Sequence, residues 1–87
     1  MSDGDLFEFP CEFPIKVMGR DNEPFRSLTR AIVERHAGPL ADASVTQRQS
    51  SGGKFLALTY TIEAQNRAQL DAIYQALTDS GVVLVAL

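Results

Sequence analysis

The residues best suited to binding chemistry lie in the run Gly19-Arg20-Asp21-Asn22, between a short alternating segment and a proline-started helix. Free backbone amides at a helix start can hold an anion, and an arginine beside them adds charged hydrogen bonds. Arg20 and Arg26 are near enough in sequence to assist. Gly19, Arg20, Asp21 and Asn22 are therefore the candidate residues of an anion-binding loop. The favoured interpretation of the same pattern is an ordinary helix cap, with the glycine present to permit the turn.

Other side chains offer little to catalysis or to metal binding. Cys11 is the only cysteine and His36 the only histidine. A single cysteine cannot form an internal disulfide, and metal sites in small domains usually need several thiolates or imidazoles. No serine or cysteine can be combined with a histidine and a second orienting group in any convincing way. We expect no metal, no cofactor and no catalysis, so a small enzyme is the least favoured of three functional interpretations.

Length and charge narrow the class of protein further. The 87 residues form one domain, with 45% hydrophobic and 22% charged residues. Eight basic and eleven acidic residues leave a net charge of −3, which argues against binding nucleic acid through its phosphates. No segment approaches the roughly 18 apolar residues of a membrane helix. The single cysteine suits a reducing cytoplasm. We expect a short frayed tail over Met1–Leu6, without signal-peptide features, and the domain over 7–87.

The first half of the chain is predicted to form a strand, a helix and an edge strand. Phe13, Ile15 and Val17 alternate with more polar positions, which predicts a strand that ends at Gly19. A helix follows to about His36, with a predicted apolar stripe at Phe25, Leu28, Ile32 and Val33. The segment Ala43–Ser50 is polar, with a single large aliphatic side chain, and is typical of an exposed edge strand.

The second half of the chain is predicted to form a hairpin turn with a strand, a helix and a last strand. A Ser-Ser-Gly-Gly turn leads into Lys54–Ala64, the strongest strand pattern of the chain. Asn66 is the predicted cap of the second helix, which Gly81 closes. Val82–Leu87 is apolar at every position, which predicts a covered strand. The order βαββαβ predicts an α+β, ferredoxin-like sandwich: a four-stranded antiparallel sheet of order 4-1-3-2, with two helices on one face.

The second face of this sheet is predicted to be open, and it becomes the candidate interaction surface. The alternation places five residues of the expected interface there: Lys16, Met18, Phe55, Leu84 and Ala86. An apolar patch of this kind usually marks an interface, either with another protein or between copies of one chain. Cover by the N-terminal arm is the alternative, and strand addition at the edge strand Ala43–Ser50 is another. RNA binding needs outward aromatic residues on both central strands, whereas Lys16 and Ala57 stand at two of those positions.

Three segments carry a family resemblance. They are Phe-Pro-Cys-Glu-Phe-Pro-Ile-Lys-Val-Met-Gly at 9–19, Arg-His-Ala at 35–37, and Ser-Ser-Gly-Gly-Lys-Phe at 50–55. On these, the chain resembles the YbeD family of small bacterial proteins, from about Leu6 to Leu87. The resemblance implies a cytosolic protein with the βαββαβ fold, and it brings no catalytic residues.

That family's fold is similar to the ACT-type regulatory domains, which bind amino acids and control enzymes. In ACT-type domains the effector lies between subunits, near the first strand-to-helix loop. By this resemblance the ligand positions would be Met18, Gly19, Arg20, Asp21 and Asn22. We therefore expect a non-enzymatic regulatory or protein-interaction module, with a sensor of amino acids or anions as the second interpretation.

Overall fold

Two ten-residue strands form the centre of the molecule. The computed structural model describes residues 8–87, so the tail expected over Met1–Leu6 lies outside the described residues. The elements are β1 (Cys11–Arg20), α1 (Glu23–Ala37), a short 3-10 turn (Asp42–Ser44), β2 (Val45–Gln49), β3 (Phe55–Ala64), α2 (Arg67–Asp79) and β4 (Val85–Ala86). Within residues 8–87, neither helix is long and apolar enough to cross a membrane.

The strand pairing confirms the predicted architecture. β1 and β3 pair antiparallel over their whole length, from Cys11 opposite Ala64 to Arg20 opposite Phe55. β2 flanks β3 and β4 flanks β1, which makes the order β2-β3-β1-β4. This is the predicted order 4-1-3-2 read from the other edge, with both helices on one face, so the ferredoxin-like fold is confirmed.

The core lies between the sheet and the two helices. The inward residues of β1 and β3 alternate with outward ones, as a period of two requires. Asn22 and Asn66 cap the two helices by accepting from the backbone N–H three residues on, which orients each apolar stripe. The largest fully buried side chains are those of Tyr60, Phe25, Ile15, Leu56, Ile73, Leu77, Val17, Val33 and Thr29.

The apolar stripe of α1 differs from the prediction at one position. Leu28 is 40% exposed, whereas Thr29 is fully buried. The Thr29 hydroxyl donates to the Phe25 carbonyl at 2.7 Å and lies 2.7 Å from the Tyr60 hydroxyl. A local carbonyl thus satisfies the polar group, so that a threonine can occupy a core position. The other three residues of the predicted stripe, Phe25, Ile32 and Val33, are buried as expected.

Gly19 has a different role from the one predicted. The strand does not end there but continues to Arg20, and Gly19 is buried on the inner face. A Cβ atom at this position would lie 2.5 Å from the Phe25 ring and 2.6 Å from the Val82 carbonyl oxygen. Only a residue without a side chain therefore lets α1 and the C-terminal segment approach β1 this closely.

The last strand also differs from the prediction. Only Val85–Ala86 is a strand, and it is not covered, since Val85 is 45% exposed. Val17 is opposite Ala86 and Met18 opposite Val85, so Ala86 faces the core and Val85 faces outward. The Leu84 N–H also donates to the Met18 carbonyl. Two successive residues thus lie against one, the pattern of a β-bulge, which reverses the predicted alternation. The prediction that Ala86 lies on the open face is wrong.

Candidate functional site

The outward face of the sheet forms a groove of about 710 Å³. Its floor follows from the register: Lys16, Thr59 and Thr46 lie in one row across three strands. Met18, Ala57 and Arg48 form the next row. Three predicted interface residues, Lys16, Met18 and Phe55, therefore line one surface, as expected.

Phe55 is the single aromatic residue among the outward positions of β1 and β3. The Arg20 guanidinium carbon lies 5.8 Å from the centroid of its ring, which is cation–π geometry. Arg20 is opposite Phe55 in the register, so the two side chains share the open face. The stacking pair that single-stranded RNA needs is not formed by these two strands, because Ala57 and Lys16 occupy the other central positions.

Positive charge is concentrated along the groove: Lys16 and Arg48 line it, and Arg20 lies on the same face beyond its lining. Lys16, Arg20 and Arg48 lie on the open face, and none of them has an ion pair within residues 8–87. Two arginines of α1 differ in this respect, since Arg26 pairs with Asp21 and Arg30 with two carboxylates. Within residues 8–87, the cations of the open face are thus not paired with a carboxylate.

Exposed apolar side chains extend the groove toward β4. Met18 is 43% exposed, Val85 45%, Leu84 61% and Leu87 72%. Met18 and Leu84 are thus exposed, as their predicted positions on the open face require. Reasoning from the sequence missed Val85 and Leu87, because strict alternation over Val82–Leu87 ignores the bulge. A run of six apolar residues contains no signal for a bulge.

The predicted ligand loop is tied into the fold by its own backbone. The Asp21 N–H donates to the Lys54 carbonyl and the Asn22 N–H to the Arg20 carbonyl, both at 2.9 Å. The Asn22 side chain accepts from the Phe25 N–H at 2.9 Å. These amides already have acceptors, as the competing helix-cap interpretation expects. A hollow of about 200 Å³ remains beside the loop, lined by Arg20, Asn22, Gly81, Val82 and Leu84.

Asp21, in the turn between β1 and α1, connects that turn to α1 and to β2 through its side chain. Its carboxylate accepts from the Arg26 guanidinium at 2.7 Å and also from the Gln49 amide of β2. The Arg26 hydrogen bond, and then that of Gln49, holds the pKa of Asp21 below its usual range. The sequence marks Asp21 as a polar loop residue and contains no sign of its partner 28 positions away.

The remaining reactive side chains are engaged elsewhere. The His36 Nδ1 lies 3.0 Å from the Ile32 carbonyl oxygen at the end of α1. Cys11 is half-buried and packs against the core from the start of β1. The described part of the chain contains no group of three His, Cys, Asp or Glu residues that could hold a metal ion.

Comparisons with known proteins agree with the resemblance noted in the sequence. Residues 4–87 match the family model described as "Protein of unknown function (DUF493)". A UPF0250 protein of Chromobacterium violaceum is 47% identical over 83 residues, which covers 95% of this chain and 93% of the relative. UPF0250 protein NE1487 of Nitrosomonas europaea is 41% identical over 87 residues, with both chains fully covered.

A solved structure shares the fold. The solution structure of protein HP0495 from H. pylori has a TM-score of 0.66 and 17% sequence identity, and the match covers 93% of this chain and 85% of that one. At this identity the likeness concerns the fold alone. The family model and the two relatives span nearly the whole sequence. The chain therefore belongs to the DUF493 (UPF0250, YbeD-like) family of small bacterial proteins.

Proposed function

We propose that the protein is a non-enzymatic interaction module of regulatory type, which binds another protein chain through the open face of its sheet. One observation carries the proposal: the groove of about 710 Å³ joins cations that have no ion pair within residues 8–87 to exposed apolar side chains. Arginine, methionine and aromatic side chains are enriched in protein interfaces. The open face therefore has the composition of a protein-binding surface.

The shape of the groove supports a protein partner over a small molecule. Small-molecule sites bury most of the ligand surface, whereas Thr46, Arg48 and Met18 are all exposed along this groove. An open, elongated surface suits a flat or extended protein segment. The edge strand β2 offers less, because it is five residues long and polar, which is how natural sheets discourage strand addition.

The chemistry of the lining supports the non-enzymatic part of the proposal. None of the residues that line the groove is a histidine, cysteine, aspartate or glutamate. Ser50 and Lys16 also line the groove, but a hydroxyl nucleophile usually needs an adjacent base of the kind that the lining lacks. The resemblance to ACT-type domains is what favours a regulatory role.

Sensing of an amino acid or anion at Gly19–Asn22 stays a prediction. The hollow beside this loop is about 200 Å³, below the roughly 300 Å³ at which ligand pockets usually begin. The amides of Asp21 and Asn22 are also committed to backbone acceptors. The open face is the better supported surface.

Photo-crosslinking in living bacteria tests the proposal. A crosslinking amino acid at Thr46, which lines the groove, should yield a discrete adduct with another protein chain. One at Ala72, exposed on α2, should not. Met18→Asp should abolish the Thr46 adduct, because it places a charge in the apolar part of the surface.

Leu28→Asp is the matched control, since Leu28 on α1 is 40% exposed and Met18 is 43% exposed. It should leave the Thr46 adduct unchanged. Circular dichroism of each variant checks that the fold is intact. The proposal is refuted if Thr46 yields no adduct, or if Met18→Asp and Leu28→Asp affect it equally.

A further inference from the structure

The open face carries charges of opposite sign in its two halves. Glu12 and Glu63 are directly opposite each other at one end, and both are exposed. Lys16, Arg20 and Arg48 occupy the other half. At about 3.3 Å per residue, Glu12 and Arg20 lie roughly 26 Å apart along β1. We call these the acidic end and the basic half of the open face.

Neither group of charges is neutralised within the described chain. Like charges directly opposite on paired strands repel each other, yet Glu12 and Glu63 have no ion pair within residues 8–87. The Glu63 carboxylate accepts a hydrogen bond from the neutral Gln65 side-chain amide at 3.0 Å. The open face thus maintains an unmatched acidic pair and unmatched cations, which an external surface of reversed polarity would neutralise together.

We propose that this surface is a second copy of the same chain, packed face to face with its strands antiparallel. The inference rests on the proposed function, because both use the open face. A symmetric dimer needs a surface that is complementary to itself. A two-fold axis across the strands places the acidic end of each copy on the basic half of the other. An axis along the strands would instead place acid on acid, so charge selects the first arrangement.

The rows of the sheet give this arrangement a definite register. If the axis passes level with Ile15 and its partner Tyr60, Glu12 falls opposite Met18 of the second copy. It then lies between two cations of that copy, Lys16 and Arg20. By the same rotation Glu63 falls opposite Ala57, which is next to Arg48. Both charge groups are thereby matched, and Met18 is covered.

The area of the face indicates a weak interface. β1 and β3 have ten residues each, β2 has five and β4 has two. At about 3.3 Å per residue and about 4.8 Å between strands, the face covers roughly 430 Å² per copy. The total of about 860 Å² is below the roughly 1,200 Å² of stable specific interfaces and is typical of a transient contact. We expect a reversible dimer with a dissociation constant of about 1–100 µM, weakened by salt.

Charge reversal combined with sedimentation analysis tests the inference. Glu12→Lys with Glu63→Lys makes the whole face basic, and Lys16→Glu with Arg48→Glu makes it acidic except at Arg20. Each variant alone should associate at least tenfold more weakly than wild type, because like charges now meet at both contacts. An equimolar mixture of the two should form a heterodimer, because each contact then pairs opposite charges.

A matched pair of variants carries the same charge changes on the helix layer. These are Asp71→Lys with Asp79→Lys, and Arg35→Glu with Arg67→Glu, all at exposed positions. They should dimerise like wild type, and their mixture should show no additional heterodimer affinity. If a reversal variant fails to fold, the neutral changes Glu63→Gln and Arg48→Gln should each weaken the dimer several-fold.

A wild-type protein that remains monomeric up to about 1 mM overturns the inference, as does a dimer that survives both reversals. So does a mixture that associates no better than the helix-layer controls. The proposed function is judged separately by the Thr46 crosslink. An adduct with a different protein, from a chain that is monomeric in solution, refutes the dimer and retains the interaction module.

Discussion

Replacing Gly19 by alanine tests the tightest contact of the fold. The added Cβ would lie 2.5 Å from two atoms of the Phe25 ring and 2.6 Å from the Val82 carbonyl oxygen. Real Cβ contacts essentially never fall below 3.0 Å, so at least one neighbour must move. Phe25 is 1% exposed and belongs to the core, and the Val82 oxygen is backbone. Neither neighbour can yield without disturbing α1 or the C-terminal segment.

The expected cost follows from these contacts. Overpacking a core by a methyl group typically costs about 1–3 kcal/mol. Because both neighbours are rigid, we expect Gly19→Ala to lower the unfolding free energy by about 3 kcal/mol, the upper end of this range. A domain of this size has a total stability of about 5–15 kcal/mol, so the variant should still fold. Urea denaturation followed by far-ultraviolet circular dichroism measures the difference in unfolding free energy.

Two further variants separate steric strain from other effects. Gly52→Ala in the β2–β3 hairpin adds a methyl group with nothing within 4 Å, so it should change stability by less than about 0.5 kcal/mol. Phe25→Leu removes part of the ring that the new Cβ would meet. The double variant with Gly19→Ala should therefore cost less than the sum of its single changes. A Gly19→Ala protein as stable as Gly52→Ala, or strict additivity with Phe25→Leu, would refute the steric argument.

Two other predictions concern polar contacts. Thr29→Val should lower the unfolding free energy by about 1–3 kcal/mol, because it leaves the buried Tyr60 hydroxyl without its partner at 2.7 Å. Adding Tyr60→Phe should recover part of this loss, as measured by urea denaturation. A double variant no more stable than Thr29→Val would contradict this. Since the Arg26 and Gln49 hydrogen bonds lower the pKa of Asp21, its carboxylate stabilises the fold above the ordinary pKa of about 4, and this stability is lost as the pH falls through the lowered value. Wild type and Asp21→Asn should therefore converge in stability in strongly acidic buffer and differ at neutral pH, and an equal difference at both would contradict the assignment.

The proposed dimer and the proposed interaction module use the same surface, which predicts a link between self-association and partner binding. A dimer near the micromolar range responds to protein concentration and salt. A partner that also used the open face would compete with self-association. Such competition would couple partner binding to the monomer–dimer equilibrium without any small ligand.

Local patterns in the sequence were sufficient for most of the architecture. Alternation at Phe13, Ile15 and Val17 identifies the inner face of β1, because side chains in a strand change sides at every residue. Asn22 and Asn66 are recognisable as caps because the capping contact is made only three residues away. These signals are local in the chain, so no knowledge of the tertiary structure is needed to read them.

The predictions from the sequence were wrong where the position of a side chain depends on a contact between two segments that are distant in the chain. Leu28 and Thr29 both fit a helical stripe, and only the Tyr60 hydroxyl on β3 selects the threonine for the core. The outward position of Val85 depends on a bulge opposite Met18, and a run of apolar residues contains no sign of it.

The sequence by itself determined the succession of strands and helices along the chain, the two helix caps and the inward faces of the central strands. All of these depend on residue spacing within one segment. Only the tertiary structure decided why residue 19 must be glycine, since the obstacles are Phe25 and Val82. It alone also placed Glu12 opposite Glu63 and gathered Lys16, Arg20 and Arg48 on one surface. That surface depends on the register between strands, because the charges that share it come from positions up to about 50 residues apart in the chain.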